Sequence, residues 1–327
     1  MFVVGCPRSG TTLLYHMLLS AGGFAVYRAE THVFNLMVPR FGDLRVLKSR
    51  TRLIDEWLTT EYFRRTGLQA APLRARILAE CGNGGDFLQI IMESIARQHG
   101  VERWAECTPE HLLYLREIKR TLPQAQVLHI IRDGRDVALS LEKQGWVRPQ
   151  PWDRKHSLLV AGLYWEWIVQ KGRRLGARIA PDYMEVRFED LVQTPQDTLS
   201  KISAFIGHDL DYREIQRTGI GSVSQPNTSF ERNSQDAPFN PVGRWKGASQ
   251  EDIAELEPLL RPSLLALGYP VTMDSQATQR WVIRSMRTRY RALFESRHWL
   301  KSHTLLGRWL VNASLLRQPI GSEVQRV

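Results

Sequence analysis

Cysteine is scarce in this chain of 327 residues, which contains three: Cys6, Cys81 and Cys107. An odd number cannot pair completely and no C-x-x-C spacing occurs, so the sequence predicts neither a disulfide framework nor a zinc site. Long apolar runs are also missing. The longest, residues 157–169, includes Glu166 and is too short to span a bilayer.

No secretory leader precedes the first apolar run, residues 1–4. An apolar fraction of 43% and ten Trp are enough for a globular core, and the sequence contains neither internal repeats nor low-complexity tracts. We therefore expect a soluble, cytoplasmic protein with one large domain or two smaller ones.

The net charge of +10 is unevenly distributed along the chain. Residues 275–327 contain ten Arg or Lys and two Glu, so this tail carries eight of the ten net positive charges. The nearly neutral body argues against nucleic acid as a partner. We divide the chain into a main domain, residues 1–272, and a basic, helical C-terminal extension, residues 273–327. Three roles of the extension stay open: peripheral contact with the inner face of an anionic membrane, packing on the core, or oligomerisation.

The most informative segment follows the first apolar run: Gly5-Cys6-Pro7-Arg8-Ser9-Gly10-Thr11-Thr12. A β-branched run, a glycine-bounded loop and a helix-forming stretch are the setting in which backbone N–H groups and the helix dipole bind phosphate. The glycine spacing is that of a nucleotide P-loop, G-x-x-x-x-G, but the Lys that would follow Gly10 is absent. Arg8 places a cation inside the loop instead.

This composition favours a particular anion. NTP chemistry needs Mg²⁺ and a point charge on a polyphosphate, whereas hydroxyls and one Arg suit a 5′-phosphosulfate. Residues 7–12 resemble the 5′-phosphosulfate loop of the sulfotransferase superfamily, which uses 3′-phosphoadenosine 5′-phosphosulfate (PAPS). The resemblance is to bacterial-type members, with similarity to tyrosylprotein and Golgi-type enzymes, and extends over about residues 1–270.

The resemblance implies a P-loop NTPase-like α/β fold with three layers, α/β/α, and a central parallel sheet. It also implies PAPS as the co-substrate and no metal. The residues that it assigns to the co-substrate in the first loop are Pro7, Arg8, Ser9, Gly10, Thr11 and Thr12.

A second anion-binding motif is predicted after the clearest buried strand, residues 126–131. Arg132 and Ser140, eight positions apart, resemble the superfamily's 3′-phosphate motif, R-(x)7-S. An Arg can hold a phosphate through two hydrogen bonds, and a Ser hydroxyl can add another. A surface turn with local ion pairs is the alternative. Two strand–loop–helix units predict a doubly wound sheet.

Glu30 is the candidate general base, because sulfonyl transfer to a hydroxyl requires removal of the acceptor proton. We expect a second strand to end near Glu30 and to bring it to the carboxyl edge of the sheet. This position resembles that of the catalytic Glu in the tyrosylprotein and Golgi-type enzymes. The alternatives are a solvated Glu30 paired with Arg28, or His32 or His111 as the base, with His111 expected on a helix surface.

Two further basic residues have expected roles. Arg8 would stabilise the charge that develops on the bridging oxygen of the leaving phosphate, and loss of one such donor typically costs about 10²–10³ in rate. Arg244, in the sequence G-R-W-K-G, resembles the basic loop that closes over the 3′-phosphate, with solvated loop cations as the alternative. Trp245 is interpreted as a packing anchor.

Two positions depart from the superfamily pattern. Related bacterial sequences read E-K-T-P, with a Lys thought to assist the leaving group or the acceptor, where this chain has Glu106-Cys107-Thr108-Pro109. Either another basic residue replaces this Lys or the chemistry is slower. Cys107 as a nucleophile is the alternative, without an evident His or Asn partner. Phe188 stands where many relatives have Tyr and keeps the aromatic face.

Periodicity and capping residues predict several further elements. Helices are expected at residues 86–98, 158–174, 195–205 and 251–267, and strands at residues 103–107 and 183–188. Thr108 is expected to cap a helix that starts at Pro109 and runs to Leu122. Residues 33–83 are interpreted as a mixed insertion, and residues 220–247 as a long loop.

The predicted function is sulfonate transfer from PAPS to a hydroxyl of a small molecule, glycan or peptide by in-line displacement. A P-loop kinase or NTPase is the second hypothesis, disfavoured by the missing Lys after Gly10. A non-catalytic nucleotide-binding relative is the third, and Cys107 and Phe188 favour it. The acceptor is not encoded in any motif; residues 33–83 and 222–240 are expected to shape its pocket.

Overall fold

A parallel β-sheet lies at the centre of the fold. The computed structural model describes residues 1–218, 241–272, 280–304 and 306–307. The strands in these ranges are β1 (Phe2–Gly5), β2 (Phe24–Ala25), β3 (Arg103–Trp104), β4 (Val127–Ile131) and β5 (Tyr183–Arg187). β4 lies between β1 and β5, and β2 pairs with β3. A parallel bridge between Phe2 and Glu106 joins the two groups, so the spatial order is β2-β3-β1-β4-β5.

Helices surround this sheet. The α-helices of the described ranges are α1 (Thr11–Ser20), α2 (Val38–Phe41), α3 (Leu47–Trp57), α4 (Glu61–Arg64), α5 (Ala70–Glu80), α6 (Gly84–His99), α7 (Leu115–Thr121), α8 (Gly134–Gln144), α9 (Ser157–Gly176), α10 (Phe188–Gln193), α11 (Pro195–Ile206), α12 (Tyr212–Thr218), α13 (Gln250–Ala266) and α14 (Arg280–His303). Short 3₁₀ segments occupy Pro109–Tyr114, Pro151–His156, Ala177–Asp182 and Arg244–Gly247, and a π-helix occupies Val33–Met37.

Alternate residues of the strands pack on opposite layers. Val3 and Leu128 belong to an apolar cluster with residues of α1 and α11. Val4 and Val127 belong to the other cluster, with residues of α8, α9 and α13. Every residue of β1 and β4 is buried, as expected for parallel strands that are covered on both faces. The predicted three-layer α/β fold with a central parallel sheet is therefore confirmed.

The strongly periodic helices lie where the sequence predicts them, as α6, α9, α11 and α13. Two expectations about strands are wrong. The predicted strand at residues 103–107 ends at Trp104, and Glu106 joins the sheet through its single bridge to Phe2. The second strand ends at Ala25, five residues before Glu30, so a loop carries the candidate base.

Most of the described part of the C-terminal extension belongs to α14, which packs on α9. Met286, Tyr290 and Phe294 are buried in the main apolar cluster. Glu295 accepts a hydrogen bond from Trp167 Nε1 at 3.0 Å and pairs with Lys171 at 2.5 Å. Packing on the core, one of the three roles left open, is therefore observed for this face of α14.

Parts of three sequence-based expectations lie outside the described residues: the long loop at residues 220–240, the pocket role of residues 222–240, and the extension at residues 273–279, 305 and 308–327. None of the described helices is both long enough and apolar enough to cross a bilayer.

Candidate active site

The loop between β1 and α1 has an unusual backbone. Arg8 has φ 73° and Gly10 has φ 96°, in the left-handed region that side chains other than glycine rarely adopt. A Cβ on Gly10 would lie 2.3 Å from Cδ2 of Phe188. The position therefore requires glycine for two reasons, and Phe188 lies directly against the loop. Strained backbone of this kind clusters at functional sites.

The same loop offers hydrogen-bond donors to a ligand. α1 begins at Thr11, so the amides of Thr11 and Thr12 lie in its first turn, where helices leave N–H groups without intrahelical partners. Pro7 is half-buried beside them. Ser9 Oγ is buried and has no hydrogen-bond partner in the part of the chain that the structure describes, although buried hydroxyls normally have one. An anion bound at this loop would supply that partner.

The second motif lies directly beside the first. Arg132 follows the last residue of β4, and Ser140 lies on α8. Arg8 Nε donates a hydrogen bond to Ser140 Oγ at 2.9 Å. Arg132 Nη1 donates to the backbone carbonyl of Arg8 at 3.3 Å. Two motifs more than 120 positions apart in the chain therefore form one site.

Arg132 is held rigidly in this site. Its Nη2 donates to Asp136 Oδ2 at 3.1 Å and to the Pro241 carbonyl at 2.5 Å. Its guanidinium carbon lies 4.5 Å from the centre of the Phe188 ring. Arg132 Nε is buried without a hydrogen-bond partner among the described residues. The alternative of a surface turn is wrong, because Arg132 and Arg135 are both buried, although the local ion pairs that it included are present.

Asp136 anchors the basic C-terminal loop, a role that the sequence analysis missed. Its carboxylate accepts hydrogen bonds from the backbone amides of Gly243 at 3.0 Å and Trp245 at 2.8 Å, as well as from Arg132. Trp245 is buried, with the guanidinium carbon of Arg135 3.6 Å from its ring centre, and thus serves as the expected packing anchor. The sequence did contain a signal for the contact between Arg132 and Asp136, because the two residues have the i, i+4 spacing that is typical of ion pairs on helices.

Three arginines meet at this site. Burial lowers the pKa of Arg8 to about 10, and the charges of Arg132 and Arg244 contribute to the shift. Burial also lowers the pKa of Arg244, and Arg132 adds to this effect while Asp136 opposes it. The lowered values mean that these cations repel one another in a poorly solvated place. A bound anion would relieve the repulsion.

Glu30 lies in the loop that follows β2. Its side chain is 39% exposed, and Oε2 is 3.5 Å from His32 Nε2. Burial raises the pKa of Cys107, and the nearby charge of Glu30 raises it further, while a hydrogen bond with Thr11 opposes this shift. Cys107 is therefore a protonated thiol at neutral pH and is unsuited to be a nucleophile.

A buried network fixes the segment that carries Glu30. Glu106 Oε1 accepts a hydrogen bond from Thr31 Oγ1 at 2.7 Å, and Thr108 Oγ1 accepts one from the Thr31 amide at 3.0 Å. Thr108 also donates to Glu106. Burial alone would raise the pKa of Glu106, but His111 and the hydrogen bonds from Thr108 and Thr31 lower it to about 2.

Two expectations about this network are wrong. Thr108 does not cap the following helix with its side chain, because the hydroxyl bonds Glu106 and Thr31 instead. The predicted helix is divided into the 3₁₀ segment Pro109–Tyr114 and α7. His111 is not on a helix surface. It is completely buried, with Nδ1 2.9 Å from Glu106 Oε2, while Nε2 accepts a hydrogen bond from the Phe34 amide at 3.2 Å.

His32 is a poor candidate for the base. It is buried and has φ 51°. Burial lowers the pKa of His32 to about 4, with a further contribution from His111. Within the described ranges, no group of three or more His, Cys, Asp or Glu side chains is arranged to hold a metal ion.

Comparison with known proteins identifies the class. The family model described as "Sulfotransferase family" matches residues 1–212, so the chain belongs to the sulfotransferase family. A search of curated proteins found no significant match.

Solved structures of sulfotransferases resemble the chain. The sulfotransferase domain of the olefin synthase from Synechococcus PCC 7002 is 20% identical with a TM-score of 0.50, and the match covers 83% of this chain and 94% of that domain. The sulfotransferase domain of the curacin biosynthetic pathway is 14% identical with a TM-score of 0.47, covering 83% and 98%. A mouse sulfotransferase complexed with PAP is 15% identical with a TM-score of 0.43, covering 81% and 83%. The Synechococcus domain supports the sulfotransferase fold.

Proposed function

We propose that this protein transfers a sulfonate group from PAPS to a hydroxyl group of an acceptor. The observation that carries the proposal is the meeting of Arg8, Arg132 and Arg244 beside two buried polar atoms, Ser9 Oγ and Arg132 Nε, that lack partners among the described residues. PAPS carries two anionic groups on one ribose, the 5′-phosphosulfate and the 3′-phosphate. Two adjacent anion sites suit such a ligand, and family membership supports the same reaction.

Each anionic group has its own set of residues in this proposal. The first loop and the first turn of α1, residues 7–12, hold the 5′-phosphosulfate through backbone amides and hydroxyls. Arg132 and Ser140 hold the 3′-phosphate, and Arg244 closes over it because Asp136 anchors its loop beside Arg132. Ser140 also orients Arg8, since Arg8 Nε donates to its hydroxyl.

The chemistry follows from these positions. Glu30 takes the proton of the acceptor hydroxyl as its oxygen attacks the sulfur of PAPS in line. A new S–O bond forms, the bond between sulfur and the bridging phosphate oxygen breaks, and adenosine 3′,5′-bisphosphate leaves. Arg8 stabilises the negative charge that develops on the bridging oxygen. The reaction as proposed assigns no step to a metal.

Binding and transfer assays test the proposal. Calorimetry should detect tighter binding of adenosine 3′,5′-bisphosphate than of ADP, because ADP lacks the 3′-phosphate. Incubation with [³⁵S]PAPS and a panel of alcohols, phenols, saccharides and peptides should yield a labelled acceptor. Preference for ADP together with phosphoryl transfer from ATP would favour the kinase hypothesis. Binding without transfer to any acceptor would favour a non-catalytic relative.

We also propose a role for the outward face of α14, in an extension defined as residues 273–327 next to a catalytic domain of residues 1–272. Trp281 and Trp299 are 73% and 55% exposed, and their spacing of 18 residues is about five helical turns, so they share one face. Arg284 and Arg291 are exposed beside this face. Because Trp favours the bilayer interface and Arg pairs with anionic headgroups, we propose that α14 binds the inner face of an anionic membrane from the cytoplasm.

A further inference from the structure

Asn35, in the π-helix after Glu30, lies between two charged or ionisable residues of the site. Its Nδ2 is 3.0 Å from Glu110 Oε2 and 3.3 Å from His32 Nδ1. An ionised carboxylate only accepts hydrogen bonds, so the atom that faces Glu110 must be the NH₂ group of Asn35. The second hydrogen of this group then points to His32 Nδ1. Glu110 thus determines which way the amide of Asn35 is oriented.

This orientation determines the tautomer of His32. Nδ1 accepts a hydrogen bond from Asn35 and cannot also carry a proton, so the proton of the neutral ring is on Nε2. Nε2 is buried and makes no hydrogen bond to any described residue, and Glu30 Oε2 lies 3.5 Å from it. The N–H group of His32 therefore faces the candidate base.

The charged groups around His32 keep the ring neutral. Burial lowers the pKa of His32 to about 4, and His111 contributes in the same direction. Glu110 and Glu106 oppose this shift, and Lys301 of α14 adds to it. At neutral pH His32 is therefore uncharged, with its N–H group facing Glu30, and is not a competing base.

Glu110 is itself held by the fold. Its Oε1 accepts a hydrogen bond from Tyr164 Oη of α9 at 3.1 Å. The ring of Tyr164 packs edge-on against Phe294 of α14, with 5.5 Å between the ring centres. Burial tends to raise the pKa of Glu110, but Lys301 and the hydrogen bonds from Asn35 and Tyr164 lower it overall. α14 thus supports the charge of Glu110, although it lies outside the region that the family model matches.

We propose that Glu110 and Asn35 are positioning residues, which fix the Nε2–H tautomer of His32 and so hold the Glu30 carboxylate in one orientation. The proposal rests on the proposed role of Glu30 as the general base. The N–H group of His32, 3.5 Å from Glu30 Oε2, attracts that oxygen and so limits the rotation of the carboxylate that is to receive the acceptor proton. The series of contacts from Glu110 through Asn35 and His32 to Glu30 then determines the fraction of time for which the base is correctly oriented.

The test combines a measurement of the tautomer with one of the rate. In full-length protein labelled with ¹⁵N-histidine, long-range ¹H–¹⁵N spectra assign the protonated ring nitrogen of His32, which we expect to be Nε2. Asn35→Leu should give a mixture of tautomers and lower the kcat of ³⁵S transfer about five- to tenfold, the equivalent of one hydrogen bond. Its affinity for adenosine 3′,5′-bisphosphate should stay unchanged. Glu110→Gln, which keeps an acceptor oxygen, should retain the Nε2–H tautomer.

Gln126→Leu provides a matched control. It makes the same amide-to-alkyl change directly before β4 and removes one hydrogen bond, from Nε2 to the Phe205 carbonyl at 2.9 Å. It should leave the His32 spectrum and kcat unchanged. A wild-type His32 protonated at Nδ1, or an unchanged tautomer in Asn35→Leu, would overturn the inference even if one variant fails to fold. Absence of transfer in the wild type would refute the proposed function, whereas the spectra would still decide the tautomer.

Discussion

Arg8 Nε donates a hydrogen bond to Ser140 Oγ at 2.9 Å, across 132 positions of sequence. This bond joins the loop after β1 to the helix after β4, and adjacent parallel strands bring the two together. The hydroxyl that we assign to the 3′-phosphate therefore also orients the cation that we assign to the leaving group. The two proposed halves of the PAPS site act together.

Ser140→Ala should weaken binding of adenosine 3′,5′-bisphosphate about 10-fold or more, because a hydrogen bond to a charged group contributes about 1.5–3 kcal/mol. Binding of AMP, which lacks the 3′-phosphate, should change much less. Calorimetry with both ligands measures the difference. Ser200→Ala on the exposed face of α11 is the control and should behave like the wild type. Equal losses for both ligands would contradict the assignment of Ser140.

Glu30→Gln should lower the kcat of ³⁵S transfer about 10²–10⁴-fold, because the amide cannot take the acceptor proton. Affinity for adenosine 3′,5′-bisphosphate should be retained, since Glu30 is not among the residues proposed to bind it. Glu102→Gln makes the same change at an exposed position and should have no effect. Full activity of Glu30→Gln would remove Glu30 from the mechanism.

Gly10→Ala should lower the free energy of unfolding by about 2–6 kcal/mol, because strained backbone and overpacking each cost about 1–3 kcal/mol. Gly10 has φ 96°, and a Cβ there would lie 2.3 Å from the Phe188 ring. Gly22→Ala is the matched control: its φ is 81°, but no atom lies within 4 Å of the added Cβ. Urea unfolding of both variants separates backbone strain from the clash.

Adding Phe188→Ala to Gly10→Ala tests the same contact. In a protein that already carries Phe188→Ala, the change Gly10→Ala should lower the free energy of unfolding by less than it does in the wild type, because the clash is removed. Equal destabilisation by Gly10→Ala and Gly22→Ala would show that the contact with Phe188 has no energetic consequence.

Stability should fall in acid as Glu106 becomes protonated. The pKa of its carboxyl is about 2 in the folded protein against an ordinary value of 4.5. A lowered pKa contributes stability that is fully present above the ordinary value and lost as the pH falls through the folded value. Glu106→Gln should therefore be less stable than the wild type at pH 7, and the difference should narrow between pH 4.5 and 2. Urea unfolding at pH 7, 4 and 3 measures the difference in the free energy of unfolding between the two proteins. A difference that does not change with pH would contradict the lowered pKa of Glu106.

Binding of α14 to membranes should depend on both its Trp and its Arg side chains. The protein should sediment with vesicles of phosphatidylcholine and phosphatidylglycerol, but weakly with phosphatidylcholine alone, and added salt should reduce binding. Trp281→Ala with Trp299→Ala should reduce sedimentation several-fold. Trp152→Ala, at a residue that is 72% exposed outside α14, is the control. Equal binding to both vesicle types would contradict the proposal.

Local sequence patterns were sufficient to predict much of the fold. Residues 1–19 predicted a strand, a glycine-bounded loop and a helix, because β-branched residues, loop glycines and apolar periodicity act over a few positions. The same reasoning located α6, α9, α11 and α13 to within a few residues. It also placed Arg132 after a buried strand.

The tertiary structure alone decided the partners of these residues. Sequence spacing assigned Thr108 to a helix cap and His111 to a surface, yet both are buried and hydrogen-bonded to Glu106. Glu106 is itself buried where it bridges to Phe2 of the sheet, a contact across more than 100 positions of sequence. Nothing local indicated that Asn35 would lie between Glu110 and His32. Residue type determines which hydrogen bonds a side chain can make, whereas long-range packing determines which partner is within reach.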